Sequence, residues 1–208
     1  CSTVVGGLRA AARFAYLFGE TELAEKYETT ASEIVEAMRE HLYSAELGRF
    51  LRALQFHGDD YFEPDPTVDA SLFGTFYFGA FAANDELVAN TMQAVREHLW
   101  ARTEIGGAAR YENDGYMRVA SEKATGNPWF ICSLWLADFY IARAASGADL
   151  SKALEILHWA VSRALPSGVL AEQVNPVDGA PVSVSPLTWS HSTFVAAVMN
   201  YLNKLKII

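Results

Sequence analysis

The sequence predicts an all-α protein laid out as part of an α/α toroid, and three observations carry that prediction. Apolar residues recur at helical spacing through seven segments, with almost no alternating strand pattern between them. Segments that are apolar on every side alternate with segments that keep one polar face. A helix apolar all round must be buried and a striped one covers it, so the alternation describes an inner and an outer layer. Long polar connections (44–68, 101–126 and 165–185) lead into the inner helices, and short ones, around Gly19-Glu20, Ala83-Asn84 and Gly147-Ala148, lead into the outer helices. Long loops gathered at one end of a rigid scaffold are where binding and catalytic residues concentrate.

Each element has its own justification. Residues 2–18 are rich in Ala, Leu and Phe and stop at Gly19, a helix-ending residue. Residues 21–43 place Leu23, Tyr27, Ala31, Ile34, Val35, Met38 and Leu42 on one face, with Glu and Lys opposite. Residues 69–82 open on Asp69, a good N-cap, and are apolar on nearly every side. Residues 85–100 are striped through Leu87, Val88, Met92, Val95 and Leu99. Residues 127–145 open on Asn127-Pro128, a cap followed by Pro at the first helical position, and are apolar all round. Residues 149–164 return to a stripe through Ala153, Ile156, Leu157, Ala160 and Val161. Residues 186–204 follow Ser185 and carry Trp189, Phe194, Val195, Val198, Met199 and Leu202. Seven helices are too few to close a toroid of six helical pairs, so residues 1–208 read as the latter, C-terminal portion of one.

Composition narrows the function classes. Half of the residues are hydrophobic and 12% are aromatic, which supplies both a core and the rings of a carbohydrate cleft. The formal charge of −9 argues against nucleic acid or an anionic membrane surface as partner, because both require clustered cations. No apolar run is long enough to span a bilayer and no signal peptide is seen; localisation stays open, with the cytoplasm favoured. Cys1 and Cys132 form no disulfide framework, and Cys132 lies in an apolar run as a small core residue. The five histidines show no metal pattern, no Gly-rich phosphate loop occurs, and no cofactor is implied; Gly6-Gly7 reads as close helix packing.

Three loop clusters carry candidate chemistry. In Gly107-Ala108-Ala109-Arg110-Tyr111-Glu112-Asn113-Asp114-Gly115-Tyr116, Arg110 offers a fork of donors for sugar hydroxyls, or is locked by Glu112 or Asp114. Thr125-Gly126-Asn127-Pro128-Trp129-Phe130 puts Trp129 in the first turn of a buried helix. Leu170-Ala171-Glu172-Gln173, with Trp189 and Ser190, sets a carboxylate and an amide beside an aromatic ring. Sugar chemistry uses such a set: a carboxylate to take a proton, an amide for hydroxyls and a ring for the apolar sugar face. A solvated surface loop, a salt bridge and a core Trp are the plainer alternatives for each cluster alone. His191 is read as a hydrogen-bonded helix residue near the same mouth.

In this order, Arg110-Tyr111 with Asp114 and Tyr116, Gly126-Asn127-Pro128-Trp129-Phe130, Glu172-Gln173 and Leu187-Thr188-Trp189-Ser190 resemble glycoside hydrolase family 15, the glucoamylases with their glucodextranase and trehalase relatives. Val174-Asn175-Pro176 and Gly179-Ala180-Pro181-Val182 look more like the prokaryotic members. The resemblance implies an (α/α)6 barrel that releases sugar from the non-reducing end of an α-glucan or α-glucoside with inversion. Glu172 matches the general base, Arg110 a substrate-binding arginine, and Trp129 and Trp189 aromatic walls of the same subsite. Gln173 and Tyr111 adjoin them and are assigned a substrate contact. An inverting hydrolase pairs a base with an acid ~6.5–9.5 Å away. The family's acid lies in a Trp-Glu-Glu segment, and no Trp-Glu pair occurs in this sequence. Glu112 and Asp114 are weak substitutes, so the acid is expected upstream and the isolated chain is expected to be inactive. The missing N-terminal half of the barrel, or self-association through uncovered apolar helix faces, is the expected protein partner.

Two rival readings differ in class. Cys1 is formally placed as an N-terminal nucleophile, but such amidases are α/β sandwiches and this chain lacks their strands. A catalytically incomplete glucan- or protein-binding module of the same fold is the other, since family 15-like barrels also serve in regulatory subunits.

Overall fold

The computed structural model describes residues 1–58 and 61–208 and bears out the all-α reading, with seven α-helices among the described residues. The chain divides into two compact units, residues 1–66 with 74–91 and residues 67–73 with 92–208.

In the first unit, α1 (Ser2–Leu17) and α2 (Thr21–Ala37) form an antiparallel hairpin. Gly19 takes φ 78° in its turn, where the amides of Phe18 and Glu20 both return to the Ala15 carbonyl. The side chains between the helices are small, with Ala12, Ala15 and Ala24 buried together and Tyr27 packed against them. Gly6 bears out its packing role, because a Cβ there would lie 3.1 Å from the Phe78 carbonyl oxygen; Gly7 faces open space and does not. After α2 the helix widens into a π-turn, Met38–Leu42, and passes into β1 (Tyr43–Ser44) and β2 (Arg49–Phe50), then β3 (Ala53–Phe56) and β4 (Phe62–Asp65). Both pairs are antiparallel. At two to four residues these strands are too short to write a period-two pattern, so 44–68 reads from sequence as loop alone.

The expected helix over 69–82 is much shorter. A 3-10 turn at Ala70–Phe73 precedes a single α-turn, α3 (Gly74–Tyr77). Asp69 does serve the first turn, its carboxylate accepting the Ser71 amide at 2.8 Å. Gly79 at φ 75° then turns the chain out of the helix, and the Phe81 amide bonds back to Thr75. Next comes α4 (Glu86–Leu99), led by Asp85, whose carboxylate accepts the Leu87 amide at 2.9 Å.

The second unit is built round α5 (Phe130–Arg143), which buries ten of its fourteen residues. Against it pack α6 (Ser151–Ser162) and α7 (Thr188–Leu205). Phe130, Leu134, Leu157, Trp159, Ala160, Leu170 and Val174 form the shared core. Cys132 is buried within α5, and burial pushes its thiol pKa well up, in keeping with a core role. Ahead of α6, Ser146 and Asp149 make a reciprocal capping box round a 3-10 turn, Gly147–Leu150. The outer face of α7 leaves Val195, Met199 and Leu202 exposed. No described helix is long and apolar enough to cross a membrane.

Candidate active site

In the second unit, loops 101–126 and 165–185 meet at the start of α5, and main-chain hydrogen bonds knit them together. The Trp129 amide donates to the Ala108 carbonyl at 2.8 Å, and the Phe130 amide to the Glu172 carbonyl at 3.3 Å. The Val174 amide donates to the Pro128 carbonyl at 2.8 Å, which sets Trp129 beside Gln173. Segment 67–73 clips onto the other side, where the Ala70 amide donates to the Arg110 carbonyl at 2.8 Å. Asn127-Pro128 does not cap α5 as expected. Pro128 bridges to Ala109, Trp129 is the extended residue before the helix, and the Asn127 side chain turns inward. The pairing of two loops across Pro128 takes the place of a helical first turn.

Gly107 makes the close passage possible. It holds φ 91°, and a Cβ at that position would lie 2.7 Å from Pro128 Cβ and run into the Trp159 ring. Just past it, the Ala108 amide is taken by the buried Ser133 hydroxyl at 2.8 Å, so the strand leading to Arg110 is pinned to α5.

Arg110 is locked by Asp114, one of the two carboxylates foreseen. Its Nε donates to Oδ2 and its Nη2 to Oδ1, each at 2.9 Å. Its guanidinium lies over Trp129 at 4.6 Å, Tyr111 at 4.9 Å and Tyr116 at 5.5 Å. Partial burial opposes its charge, but the hydrogen bonds and charge of Asp114, with Tyr111, outweigh that and raise its pKa. With Nε and Nη2 bound to Asp114 and the side chain about a third exposed (35%), the guanidinium sits on a rigid mount with Nη1 outside the ion pair. Glu112 has other work: it accepts the Val68 amide at 2.8 Å and pairs with His98 at 2.8 Å.

Trp129 is buried, and its indole Nε1 has no hydrogen-bond partner among the described residues. Glu172 is half-buried, its backbone held between the Phe130 and Val184 amide and carbonyl groups. Gln173 differs from the sequence reading. Its side chain is completely buried, with Nε2 donating to Glu172 Oε2 at 3.1 Å and Oε1 accepting from Asn127 Nδ2 at 2.7 Å. A contact with substrate is thereby replaced by a place behind Glu172, because the short strand β5 (Gln173–Val174), paired with β6 (Pro181–Val182), turns this side chain into the interior.

Trp189 is half exposed (52%) and belongs to an aromatic row with Trp135 at 5.8 Å, itself stacked on Phe73 at 4.1 Å. Its helix is tied to the loop bearing Glu172 through Ser190, which donates to the Ala171 carbonyl at 2.8 Å. His191 is a hydrogen-bonded helix residue, accepting the Leu170 amide at 3.0 Å. Among the described residues no cluster of His, Cys, Asp or Glu could hold a metal. A cleft of about 500 Å³ lined by Arg96, Trp100, Arg102, Tyr140, Lys152 and Glu155 contains none of the residues just described.

Known proteins resemble this chain over most of its length. The sequence profile of the glycosyl hydrolases family 15 matches residues 3–199. An uncharacterized glycosyl hydrolase of Methanocaldococcus jannaschii is 31% identical over 144 residues, 64% of this chain and 22% of that protein. A trehalase of Mycolicibacterium smegmatis is 25% identical over 91% of this chain and 26% of its own length. Among solved structures, a bacterial glucoamylase complexed with acarbose superposes with a TM-score of 0.79 at 23% identity, covering 96% of this chain and 32% of that one. A glucoamylase from Saccharomycopsis fibuligera gives 0.70 at 13% identity, over 98% of this chain and 55% of that one. These likenesses show the fold, that of part of the (α/α)6 toroid of glucoamylases. The chain spans about a quarter of the length of the two sequence relatives named.

Proposed function

Given that the chain belongs to glycosyl hydrolases family 15, we propose that it contributes to inverting hydrolysis of terminal α-glucosidic bonds. Glu172 is the general base that deprotonates the attacking water. Arg110, Tyr111, Trp129 and Trp189 form part of the subsite for the terminal glucose, with Arg110 Nη1 and Trp129 Nε1 as donors to hydroxyls. Gln173 supports Glu172 from behind.

The observation that carries this reading is the knitted backbone: the hydrogen bonds from Trp129 to Ala108 and from Phe130 to Glu172 align the arginine loop, the tryptophan and the base loop. Rigid mounting of that kind is what positioned acid–base chemistry requires. Asp114 and Glu112 are both engaged within the unit, so neither is free to serve as the acid. The acid is supplied by residues outside these 208, which also cover the apolar outer face of α7.

The test compares the product of the full gene, its Glu172→Gln variant and this chain alone. Glucose release from maltooligosaccharides, isomaltose and trehalose is followed by NMR, which reports the anomer. β-Glucose from the full product, an inert Glu172→Gln variant and an inert isolated chain are expected. An inert full product that still binds glucan would establish the binding-module reading instead.

A further inference from the structure

Behind Glu172 lies a chain of hydrogen bonds whose direction is set at its far end. Asn127 is buried, and its Oδ1 accepts the Val119 amide at 2.9 Å while its Nδ2 donates to the Met117 carbonyl at 2.9 Å. Main-chain groups have fixed polarity: an amide N–H only donates and a carbonyl only accepts. Those two groups therefore decide which end of the Asn127 amide is nitrogen. The same Nδ2 donates to Gln173 Oε1 at 2.7 Å, so the Gln173 amide must turn its own nitrogen toward Glu172 Oε2, 3.1 Å away. An unanchored amide could rotate half a turn and present oxygen to the carboxylate instead. The loop supplying the anchors is itself held in a defined shape, with Met117 at φ 51° and Asn113 at φ 61°. Left-handed backbone at non-glycine residues persists where surrounding bonds over-determine it.

We propose that Asn127 is a positioning residue for the base, acting through Gln173. The pair passes the polarity of the Met117 and Val119 main chain to Glu172, giving its Oε2 a donor and leaving Oε1 to meet the attacking water. The inference rests on the reading of Glu172 as general base. It adds that the loop bearing Arg110 and the loop bearing Glu172 are coupled through one buried amide pair. A substrate that orders residues 110–119 would in the same act fix the carboxylate. Such coupling matters because a small misplacement of a reacting group costs rate out of proportion to its distance.

The experiment uses the full gene product with Asn127→Leu, Gln173→Met, the double variant and Thr91→Val, assayed on maltooligosaccharides below every variant's melting temperature. Thr91 is fully buried and its hydroxyl accepts the Phe50 amide at 3.0 Å, so Thr91→Val removes a buried hydrogen bond that touches none of the site residues and serves as a control for lost stability. Gln173→Met and Asn127→Leu are each expected to lower kcat by about tenfold to a hundredfold, with KM within about twofold. The double variant should be no slower than Gln173→Met alone, because the two act in series. Thr91→Val should keep kcat within about twofold. Multiplying losses in the double variant, or a kcat loss in Thr91→Val equal to that of Asn127→Leu, would overturn the relay and leave a merely structural pair. Glu172→Gln separates the two readings: if that variant stays active, the base assignment itself falls, whatever Asn127 does. If one relay variant fails to fold, the other still decides through its kcat and KM.

Discussion

Arg110 and Asp114 face each other in a two-pronged ion pair, both contacts at 2.9 Å, with the carboxylate buried and the guanidinium part exposed. Asp114 also accepts the Tyr116 amide at 3.0 Å, so one carboxylate holds three donors and fixes the turn that follows. Removing it leaves a half-buried cation and an unpaired amide. Asp114→Ala is expected to cost about 2–4 kcal/mol and Asp114→Asn, which retains an acceptor, about 1–2 kcal/mol. Equilibrium urea unfolding measures both. Equal stability of Asp114→Ala and the parent would mean that the pair contributes nothing to the loop.

Gly107 and Gly168 separate steric crowding from backbone conformation. Both have positive φ, but a Cβ on Gly107 would collide with Pro128 and Trp159 whereas one on Gly168 meets nothing within 4 Å. Gly168→Ala should cost about 1–2 kcal/mol, the left-handed penalty alone. Gly107→Ala should cost about 3 kcal/mol or more, because the buried Trp159 ring and the Pro128 ring, neither of them a flexible side-chain tip, must yield. Thermal unfolding of the pair side by side is the measurement, and a similar loss for both would show that the Gly107 passage relaxes freely.

The long periodic helices were legible in the sequence because burial writes itself as spacing. α5 reads as apolar all round and is enclosed, and α6 follows its stripe, whereas α7, read as an inner helix, buries only Ser190 and Ala197 and leaves Trp189, Val195, Met199 and Leu202 exposed. The stretch 69–82 misled for the same reason: apolar density alone cannot tell a helix from a buried turn, and Gly74 and Gly79 were the discordant residues. The Arg110–Asp114 lock was one of two pairings foreseen, since spacing brings both carboxylates within reach and only packing chooses. The burial of Gln173 was not legible at all. It depends on Pro128 pairing with Val174, a long-range backbone contact that no local pattern encodes. The capping box of Ser146 with Asp149 does carry a local signal, a hydroxyl and a carboxylate three residues apart ahead of a helix.

Asp138 makes stability depend on pH. Burial on α5 pushes its carboxyl from 3.8 up to about 6, against the smaller opposing pull of a hydrogen bond from Asn200. The folded state therefore holds this proton more tightly than the unfolded chain. Its contribution is fully present below the ordinary carboxylate value and is lost as pH rises through about 6. Asp138→Asn keeps an acceptor for Asn200 and removes the charge. It should be more stable than the parent by about 1–3 kcal/mol at pH 7 and no more stable near pH 3.5. Denaturation at several pH values tests this, and a constant difference across pH 4–7 would show that Asp138 titrates normally.

Trp129 and Trp159 offer the sharpest comparison, because both are buried in the same unit and only one spends its indole N–H. Trp159 Nε1 donates to the Ile105 carbonyl at 2.8 Å, whereas Trp129 Nε1 donates to nothing among the described residues. Each Trp→Phe change loses packing. Trp159→Phe also strands the Ile105 carbonyl, while Trp129→Phe deletes a donor already paying for its burial. The expected losses are about 2–4 kcal/mol for Trp159→Phe and within about 1 kcal/mol for Trp129→Phe. A spare donor is useful only when something arrives to accept from it. In the full gene product, Trp129→Phe should therefore raise KM for maltooligosaccharides severalfold while leaving the fold nearly as stable. If Trp129→Phe destabilises as much as Trp159→Phe and leaves KM unchanged, the indole N–H is satisfied within the protein and is not held for a sugar hydroxyl.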